Sequence, residues 1–147
     1  MEALFLNVSF VGSAPLAREL GNKAPHVIVT QVVPHPQEKN LLIVKEYHED
    51  LQKMDQPTTP TFGSLEGYIA SRIFVKALEN VQGQPTRENI IDALEGLKAF
   101  DIGLGKPLQL TAKKHQASHR VWPTILRNGQ FVPFKWKDIS KVLESGK

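Results

Sequence analysis

The stretch LFLNVSFVGSAPLARELG, residues 4–21, decides the fold of this chain, together with HVIVTQVV at residues 26–33. Residues 3–11 are almost continuously apolar, which is typical of a strand in a sheet that is covered on both faces. The second run is rich in β-branched residues and also predicts a strand.

A short helix is predicted between these two strands. Ser13 is a favourable N-cap, Pro15 suits a first helical turn, and Gly21 suits a helix end. The helix is expected over about 14–20. A strand, a helix and a second strand in this order form a βαβ unit, so the two strands are expected to pair in parallel.

The rest of the chain predicts helices followed by an antiparallel tail. Hydrophobic spacing favours helices over residues 39–54, 62–81 and 87–97, and Asp138 is a possible cap of a last short helix over 139–144. In the second of these, Leu65, Ile69, Ile73 and Ala77 form one stripe, and the small residues Gly63, Gly67, Ala70 and Ser71 form another that would admit a second backbone. Thr86 is predicted to be the N-cap of the helix over 87–97.

A hairpin is predicted near the C-terminus, because Asn128-Gly129 favours a type I′ turn. The alternation in LGKPLQLT, residues 104–111, predicts a further strand. Pro123 and Pro133 indicate edge positions, since proline cannot donate to a sheet ladder.

Composition excludes several classes of function. The 147 residues are a single-domain length, with 41% apolar residues and a net charge of +3. Lysine and arginine are interspersed with acids, so no nucleic-acid partner is predicted. The absence of cysteine excludes disulfides and thiolate metal sites. Glu2 and the lack of a basic leader argue against a signal peptide, so the chain as written is expected to stay in the cytoplasm.

No catalytic motif is present. HQASH at residues 115–119 spaces two histidines as zinc ligands can be spaced, but Lys113, Lys114 and Arg120 crowd it and no carboxylate is expected near it. An exposed polar loop is favoured there. We therefore predict no enzyme activity, no metal and no cofactor.

The best candidate site is the turn NVSFVGS at residues 7–13, because ligands of open α/β sheets bind beyond the carboxyl ends of parallel strands. Ser9 and Ser13 offer hydroxyl groups, and Phe10 with Val11 beside it offers an apolar wall. The helix that follows presents N–H groups suited to an anion such as a carboxylate. The alternative is an ordinary strand-to-helix turn. Glu66 has two interpretations as well, an exposed helical glutamate or a carboxylate near a ligand or hinge.

The order of the motifs resembles one protein family. LFLNVSFVGSAPLARELG, HVIVTQVVPHP, VKEYHEDLQKMD, SLEGYIASRIFVKALENV, TRENIIDALEGLKAFDIGLGKPLQL and a tail with HQASH and RNGQFVPF follow one another. Together they resemble the C-terminal part of the type I periplasmic solute-binding proteins of branched-chain amino-acid-type ABC transporters.

This resemblance implies a partial Venus-flytrap fold. Residues 1–34 would end a second lobe, and residues 35–147 would supply first-lobe helices, a hinge crossing and the β tail. It also implies a periplasmic protein that binds a small solute between two lobes and delivers it to a membrane permease. The solute would be an amino acid or an aromatic or organic acid.

One departure from the family matters for the ligand. Amino-acid binders of the family carry an acidic residue in this turn, which pairs with the ligand's ammonium group. Here the matching position is about Ser9, with Phe10 beside it. The resemblance therefore suggests a less charged or aromatic solute.

Two other hypotheses remain open. In the first hypothesis, the chain is the ligand-sensing domain of a regulatory protein. In the second, it is a truncated remnant that self-associates without binding solute. The second predicts a homodimer through exposed strand edges.

Overall fold

A computed structural model of the chain describes residues 3–21, 26–56 and 58–144. The helices are α1 Ser13–Leu20, α2 Leu42–Leu51, α3 Phe62–Leu78, α4 Arg87–Gly96 and α5 Ile139–Glu144. The strands are β1 Phe5–Val8, β2 Val27–Gln31, β3 Lys98–Phe100, β4 Leu108–Leu110, β5 Trp122–Arg127 and β6 Gln130–Pro133. The predicted α/β class, with a parallel pair, further helices and a C-terminal antiparallel hairpin, is confirmed. Glu2, on which the expectation about a leader rests, lies outside the described residues.

The chain divides into two compact units. Unit 1 contains the described parts of Met1–His35, Thr61–Gly63 and Arg120–Lys147, and unit 2 contains those of Pro36–Pro60 and Ser64–His119. The C-terminal hairpin thus groups with the N-terminal βαβ unit, whereas the sequence analysis placed it with the helices. How residues 1–34 and 35–147 correspond to the lobes of a larger protein stays a prediction.

Unit 1 contains a four-stranded sheet with the strand order β1-β2-β5-β6. β1 and β2 run parallel, as the βαβ pattern predicts, and β5 and β6 add to β2 as antiparallel strands. One face is covered by α1, through a cluster of Ala17, Val27, Val29, Leu126 and Phe131. The other is covered by α5, through a cluster of Ile28, Ile125 and Val142.

The expectation that β1 is buried on both faces is wrong. The side chains of Phe5, Leu6 and Val8 are 58%, 63% and 51% exposed, whereas Ile28 of β2 is completely buried. β1 pairs with β2 alone and is therefore an edge strand. The buried clusters under α1 and α5 draw their strand residues from β2, β5 and β6.

The predicted N-cap of α1 is also wrong. Gly12 occupies that position, with φ of 71°, and its carbonyl accepts a hydrogen bond from the Leu16 N–H at 3.2 Å. A positive φ of this kind favours glycine. Ser13 is the first helical residue, and no side-chain capping bond is made from the N-cap position. The predicted stop at Gly21 is confirmed, since Gly21 N–H donates to the Ala17 carbonyl.

The predicted hairpin is confirmed. Asn128 and Gly129 both have positive φ, 49° and 73°, as a type I′ turn requires. Pro133 lies on the edge strand β6 as expected, but Pro123 lies in β5, which is a central strand. The sheet accommodates Pro123 because it is near the start of β5, where its carbonyl still accepts from the Phe134 N–H at 2.9 Å.

Unit 2 contains most of α3, from Ser64 onward, together with α2, α4, β3 and β4. Leu65, Ile69 and Ala77 are buried, as the predicted stripe requires. The Tyr47 hydroxyl of α2 shares a 2.6 Å hydrogen bond with the Ser64 hydroxyl of α3. The small-residue stripe is exposed, and in the described part of the chain no other atom approaches within 4 Å of a Cβ placed on Gly67. The close approach expected there is not made by the described residues.

A short antiparallel ribbon completes unit 2. β3 pairs with β4, and the sequence analysis missed β3 because it directly follows α4 and is three residues long. In the loop between these strands, the Gly103 carbonyl accepts a hydrogen bond from the Ile43 N–H of α2 at 3.3 Å. The flanking side chains of Ile102 and Leu104 are buried. This contact fixes the loop against the start of α2.

The predicted cap of α4 is confirmed, because the Thr86 hydroxyl oxygen accepts from the Asn89 N–H at 3.3 Å. Among the helices of the described ranges, none is both long enough and apolar enough to cross a membrane.

Candidate functional site

The turn predicted as a site follows β1 in unit 1. Because β1 and β2 are parallel, their carboxyl ends meet at one edge of the sheet, with Val8 opposite Thr30. β1 runs directly into a 3₁₀ turn, Ser9–Val11, and then through Gly12 into α1. Four of the predicted site residues are thus brought together at this edge.

The side chains of the turn differ in accessibility. Phe10 is 97% exposed and Val11 is 46% exposed, so both present apolar surface to the outside. Ser9 is half-buried, and its carbonyl accepts a hydrogen bond from the Gly12 N–H at 3.2 Å. The turn therefore offers the predicted apolar wall, while the ligand-binding roles of these residues stay predictions.

Ser13 belongs to a buried polar network. Its hydroxyl oxygen accepts a 2.6 Å hydrogen bond from the Gln31 side-chain amide, which also lies 3.4 Å from the Thr124 hydroxyl oxygen. Thr124 in turn donates to the Val29 carbonyl at 2.9 Å. Gln31 and Thr124 are 1% exposed, and Ser13 is 8% exposed. The network locks the start of α1 to β2 and β5.

Sequence reasoning missed Gln31. The available signal was a glutamine at the end of a run of β-branched residues, at the carboxyl end of a predicted parallel strand. Its partners Ser13 and Thr124 lie 18 and 93 residues away, so local pattern does not connect them. Ser13 is therefore a link between structural elements as well as a predicted site residue.

The start of α1 leaves few N–H groups for an anion. The first N–H groups of a helix have no partner inside the helix. Here the Gly12 N–H already donates to Ser9, Leu16 makes the first helical bond, and Pro15 has no N–H. Within the described part of the chain, the N–H groups of Ser13 and Ala14 alone are left at this terminus, so the predicted anion site has fewer donors than an ordinary helix start.

Glu66 lies on α3 in unit 2, and its side chain is exposed. Its neighbour Tyr68 donates a 2.7 Å hydrogen bond to the Asp50 carboxylate, which also accepts from Lys53 at 2.7 Å. Hydrogen bonds from Lys53 and Tyr68 hold the pKa of Asp50 below its usual range. Burial, followed by the bond to Asp50, raises the pKa of Tyr68 to about 12.

This raised pKa predicts an alkaline loss of stability. In the unfolded chain a tyrosine loses its proton near pH 10, whereas folded Tyr68 keeps it until about pH 12. The folded state binds more protons in that window, so the free energy of unfolding falls as pH rises from about 10 to 12. Tyr68→Phe is expected to flatten this decline in urea unfolding followed by tyrosine circular dichroism. An unchanged slope in the variant would contradict the assignment.

The histidine pair of HQASH is a surface feature. His115 lies 2.9 Å from the Glu95 carboxylate and is exposed. The expectation that no carboxylate is near was thus wrong, because α4 brings Glu95 to the loop from 20 residues away. No group of three or more potential metal ligands occurs among the described residues.

A groove of about 930 Å³ lies within unit 2, lined by residues of α3, α4 and β3. The Asp101 carboxylate at its margin already accepts from the Gly103 N–H at 2.8 Å. Asn80 and Asn89 donate their amides to the backbone carbonyls of Lys76 and Gln84. These side chains thus stabilise the loops around the groove.

Comparison with known proteins identifies the class. The sequence profile of the periplasmic binding protein family matches residues 4–130. The chain belongs to this family, and the family resemblance predicted from the motif order is confirmed. No curated protein sequence gave a significant match.

The chain is also similar to several solved structures of binding proteins. A possible leucine/isoleucine/valine-binding protein from Rhodopirellula baltica SH 1 is 43% identical over 94% of this chain, with a TM-score of 0.88. An extracellular ligand-binding receptor from Verminephrobacter eiseniae ef01-2 is 25% identical over 88%, with a TM-score of 0.73. A substrate-binding periplasmic protein from Ralstonia solanacearum, 22% identical over 90% with a TM-score of 0.78, has the same fold. The chain spans 37%, 37% and 38% of these structures, respectively.

Proposed function

We propose that this chain is part of a periplasmic solute-binding protein of an ABC transporter, with a binding role and no catalytic one. The observation that carries the proposal is the 43% identity, over 94% of the chain, to the possible leucine/isoleucine/valine-binding protein. The whole protein would bind a small solute and deliver it to a membrane permease.

The β1–α1 turn is the part of unit 1 that we propose touches the solute. It lies at the carboxyl ends of two parallel strands, where α/β sheets bind ligands. Phe10 and Val11 supply accessible apolar surface suited to a branched or aromatic side chain. Ser9 supplies a hydroxyl group, and Ser13 and Ala14 supply two N–H groups at the start of α1. Glu66 stays a candidate on α3 in unit 2.

The charge of the turn limits what it can recognise. No acidic residue occurs between Ala3 and Arg18, so the turn has no carboxylate for an ammonium group. Its contribution to binding therefore includes no ion pair with the ammonium group of an amino acid. A carboxylate that pairs with such a group would come from elsewhere in the protein.

Ligand titration of the 147-residue chain tests this proposal. The chain spans 37% of the first similar structure, so most contacts of a complete site are absent and binding is expected to be weak, with a Kd of about 1 mM or above. In nuclear magnetic resonance titrations, leucine and 4-methylpentanoate should shift the same amide signals, those of Ser9, Phe10 and Val11.

Two variants test whether Phe10 of the turn makes the contact with the ligand. Phe10→Ala should abolish these shifts, whereas Phe74→Ala on the exposed side of α3, which also removes an accessible phenyl ring, should leave them unchanged. Shifts confined to other residues would refute the turn as the contact. Tight binding in calorimetry would overturn the view that the chain holds only part of the site.

A further inference from the structure

The hydroxyl group of Ser13 is only partly satisfied by the fold. Its oxygen accepts the 2.6 Å hydrogen bond from the Gln31 side-chain amide. Its proton is donated to no acceptor among the residues that the structure describes. Ser13 is 8% exposed, and a buried hydroxyl proton without an acceptor costs free energy. An acceptor atom on a bound solute would remove this cost.

The hydrogen bonds around Gln31 fix the direction of this network. The Thr124 hydroxyl donates its single proton to the Val29 carbonyl at 2.9 Å, so its oxygen can only accept from Gln31. Gln31 therefore turns the NH2 end of its amide toward Thr124, at 3.4 Å, and toward Ser13. The Ser13 oxygen accepts from this NH2 group, and the Ser13 proton has to point away from it. A hydroxyl group that accepts a hydrogen bond is also a stronger donor.

The start of α1 contributes two more donors beside this hydroxyl group. The N–H groups of Ser13 and Ala14 have no partner in the described part of the chain. Together with the Ser13 hydroxyl group they make three donors on two successive residues, at the positive end of the helix dipole. These donors favour a ligand group that only accepts hydrogen bonds, and an ionised carboxylate is such a group.

We infer that the start of α1 binds the carboxylate group of the solute, with the Ser13 hydroxyl group as a donor that Gln31 and Thr124 orient. The inference rests on the proposed function, and it names the chemical class of the solute as a carboxylate with an apolar body that contacts Phe10. The carboxylate oxygens accept from the hydroxyl group and from the two N–H groups. A primary amide in the same place brings protons of its own, which would face these donors.

Two ligands of nearly the same shape test this class of solute. At neutral pH 4-methylpentanoate carries a carboxylate, whereas 4-methylpentanamide carries a neutral NH2 group in place of one oxygen. In nuclear magnetic resonance titrations of the 147-residue chain, the acid is expected to bind about tenfold more tightly, because hydrogen bonds to a charged group are stronger. The acid should also shift the backbone N–H signals of Ser13 and Ala14.

Variants of the network separate recognition of the carboxylate from a structural role. Ser13→Ala should lower the affinity for the acid about tenfold and leave the affinity for 4-methylpentanamide unchanged. Gln31→Met removes the group that orients the hydroxyl proton, so it should also lower the affinity for the acid alone. A change that only loosened α1 would weaken both ligands equally. Ser140→Ala on α5, which also removes a serine hydroxyl from unit 1, should change neither affinity.

The outcomes distinguish this inference from the proposed function. If both ligands shift the signals of Ser9, Phe10 and Val11 with equal affinity, the turn still contacts the solute and the carboxylate inference is wrong. The inference is also wrong if Ser13→Ala changes both affinities equally or changes neither. The comparison of the two ligands on the wild-type chain decides the matter even where a variant fails to fold. If neither ligand shifts these signals, the proposed contact fails and the inference fails with it.

Discussion

Replacing Gly103 with alanine is expected to destabilise unit 2 by about 3–5 kcal/mol. Gly103 has φ of 83°, a conformation that costs an L-residue energy, and a Cβ there would lie 2.8 Å from the Ile43 nitrogen and 2.9 Å from the Leu42 Cβ. The first contact is with backbone at the start of α2, which cannot rotate away. The hydrogen bond from Ile43 to the Gly103 carbonyl would be lost as the loop moves.

Gly83→Ala is the matched control. Gly83 has φ of 80° in the same unit, but no described atom approaches within 4 Å of its Cβ position. Gly83→Ala should therefore destabilise unit 2 by the backbone strain alone, about 1–2 kcal/mol. The difference between the two variants measures the close approach itself.

The aromatic residues allow the two units to be followed separately. Both tryptophans, Trp122 and Trp136, lie in unit 1, and both tyrosines, Tyr47 and Tyr68, lie in unit 2. In urea unfolding, Gly103→Ala should shift the tyrosine circular dichroism transition more than the tryptophan fluorescence transition. Equal effects of Gly103→Ala and Gly83→Ala would show that the contact with α2 does not restrict the loop.

Elements that local pattern specifies were predictable from the sequence. The βαβ order, the buried stripe of α3 and the Asn128-Gly129 turn all depend on residues close together in the chain. Their boundaries were less secure, since the helix predicted over 39–54 extends only over Leu42–Leu51. Periodicity cannot distinguish a frayed end from a continued helix.

Features that depend on distant residues were not predictable. An apolar run such as residues 3–11 is compatible with a central strand and with an edge strand, because the burial of a strand depends on neighbours elsewhere in the chain. For the same reason Pro123 was assigned to an edge and lies in a central strand. The turn was correctly placed between β1 and α1, but its buried link to Gln31 could not be inferred.

Gln31→Glu is the second change with a large expected effect, about 3 kcal/mol or more in unit 1 at neutral pH. The substitution preserves shape and replaces a neutral amide by a carboxyl group at a position that is 1% exposed. Both present partners of the amide are hydroxyl oxygens, at 2.6 and 3.4 Å. The Thr124 hydroxyl already donates to Val29, so it cannot compensate a negative charge.

The pH dependence identifies the cause of this loss. Burial raises the pKa of the new carboxyl group above its unfolded value of about 4.3. The folded state then binds the proton more tightly, so the variant loses stability as pH rises from about 4.3 through the folded pKa. Its deficit relative to wild type should therefore be small in acid and largest at neutral pH.

Gln31→Met separates the charge from the lost hydrogen bonds. It removes both bonds from the amide without introducing a charge, so its cost should be smaller, about 1–3 kcal/mol, and nearly independent of pH. Tryptophan fluorescence in urea at acid and neutral pH measures both variants in unit 1. If the two variants lose equal stability at every pH, the carboxyl group is reaching solvent. The packing between the start of α1 and β2 would then be less rigid than the 2.6 Å hydrogen bond between Gln31 and Ser13 indicates.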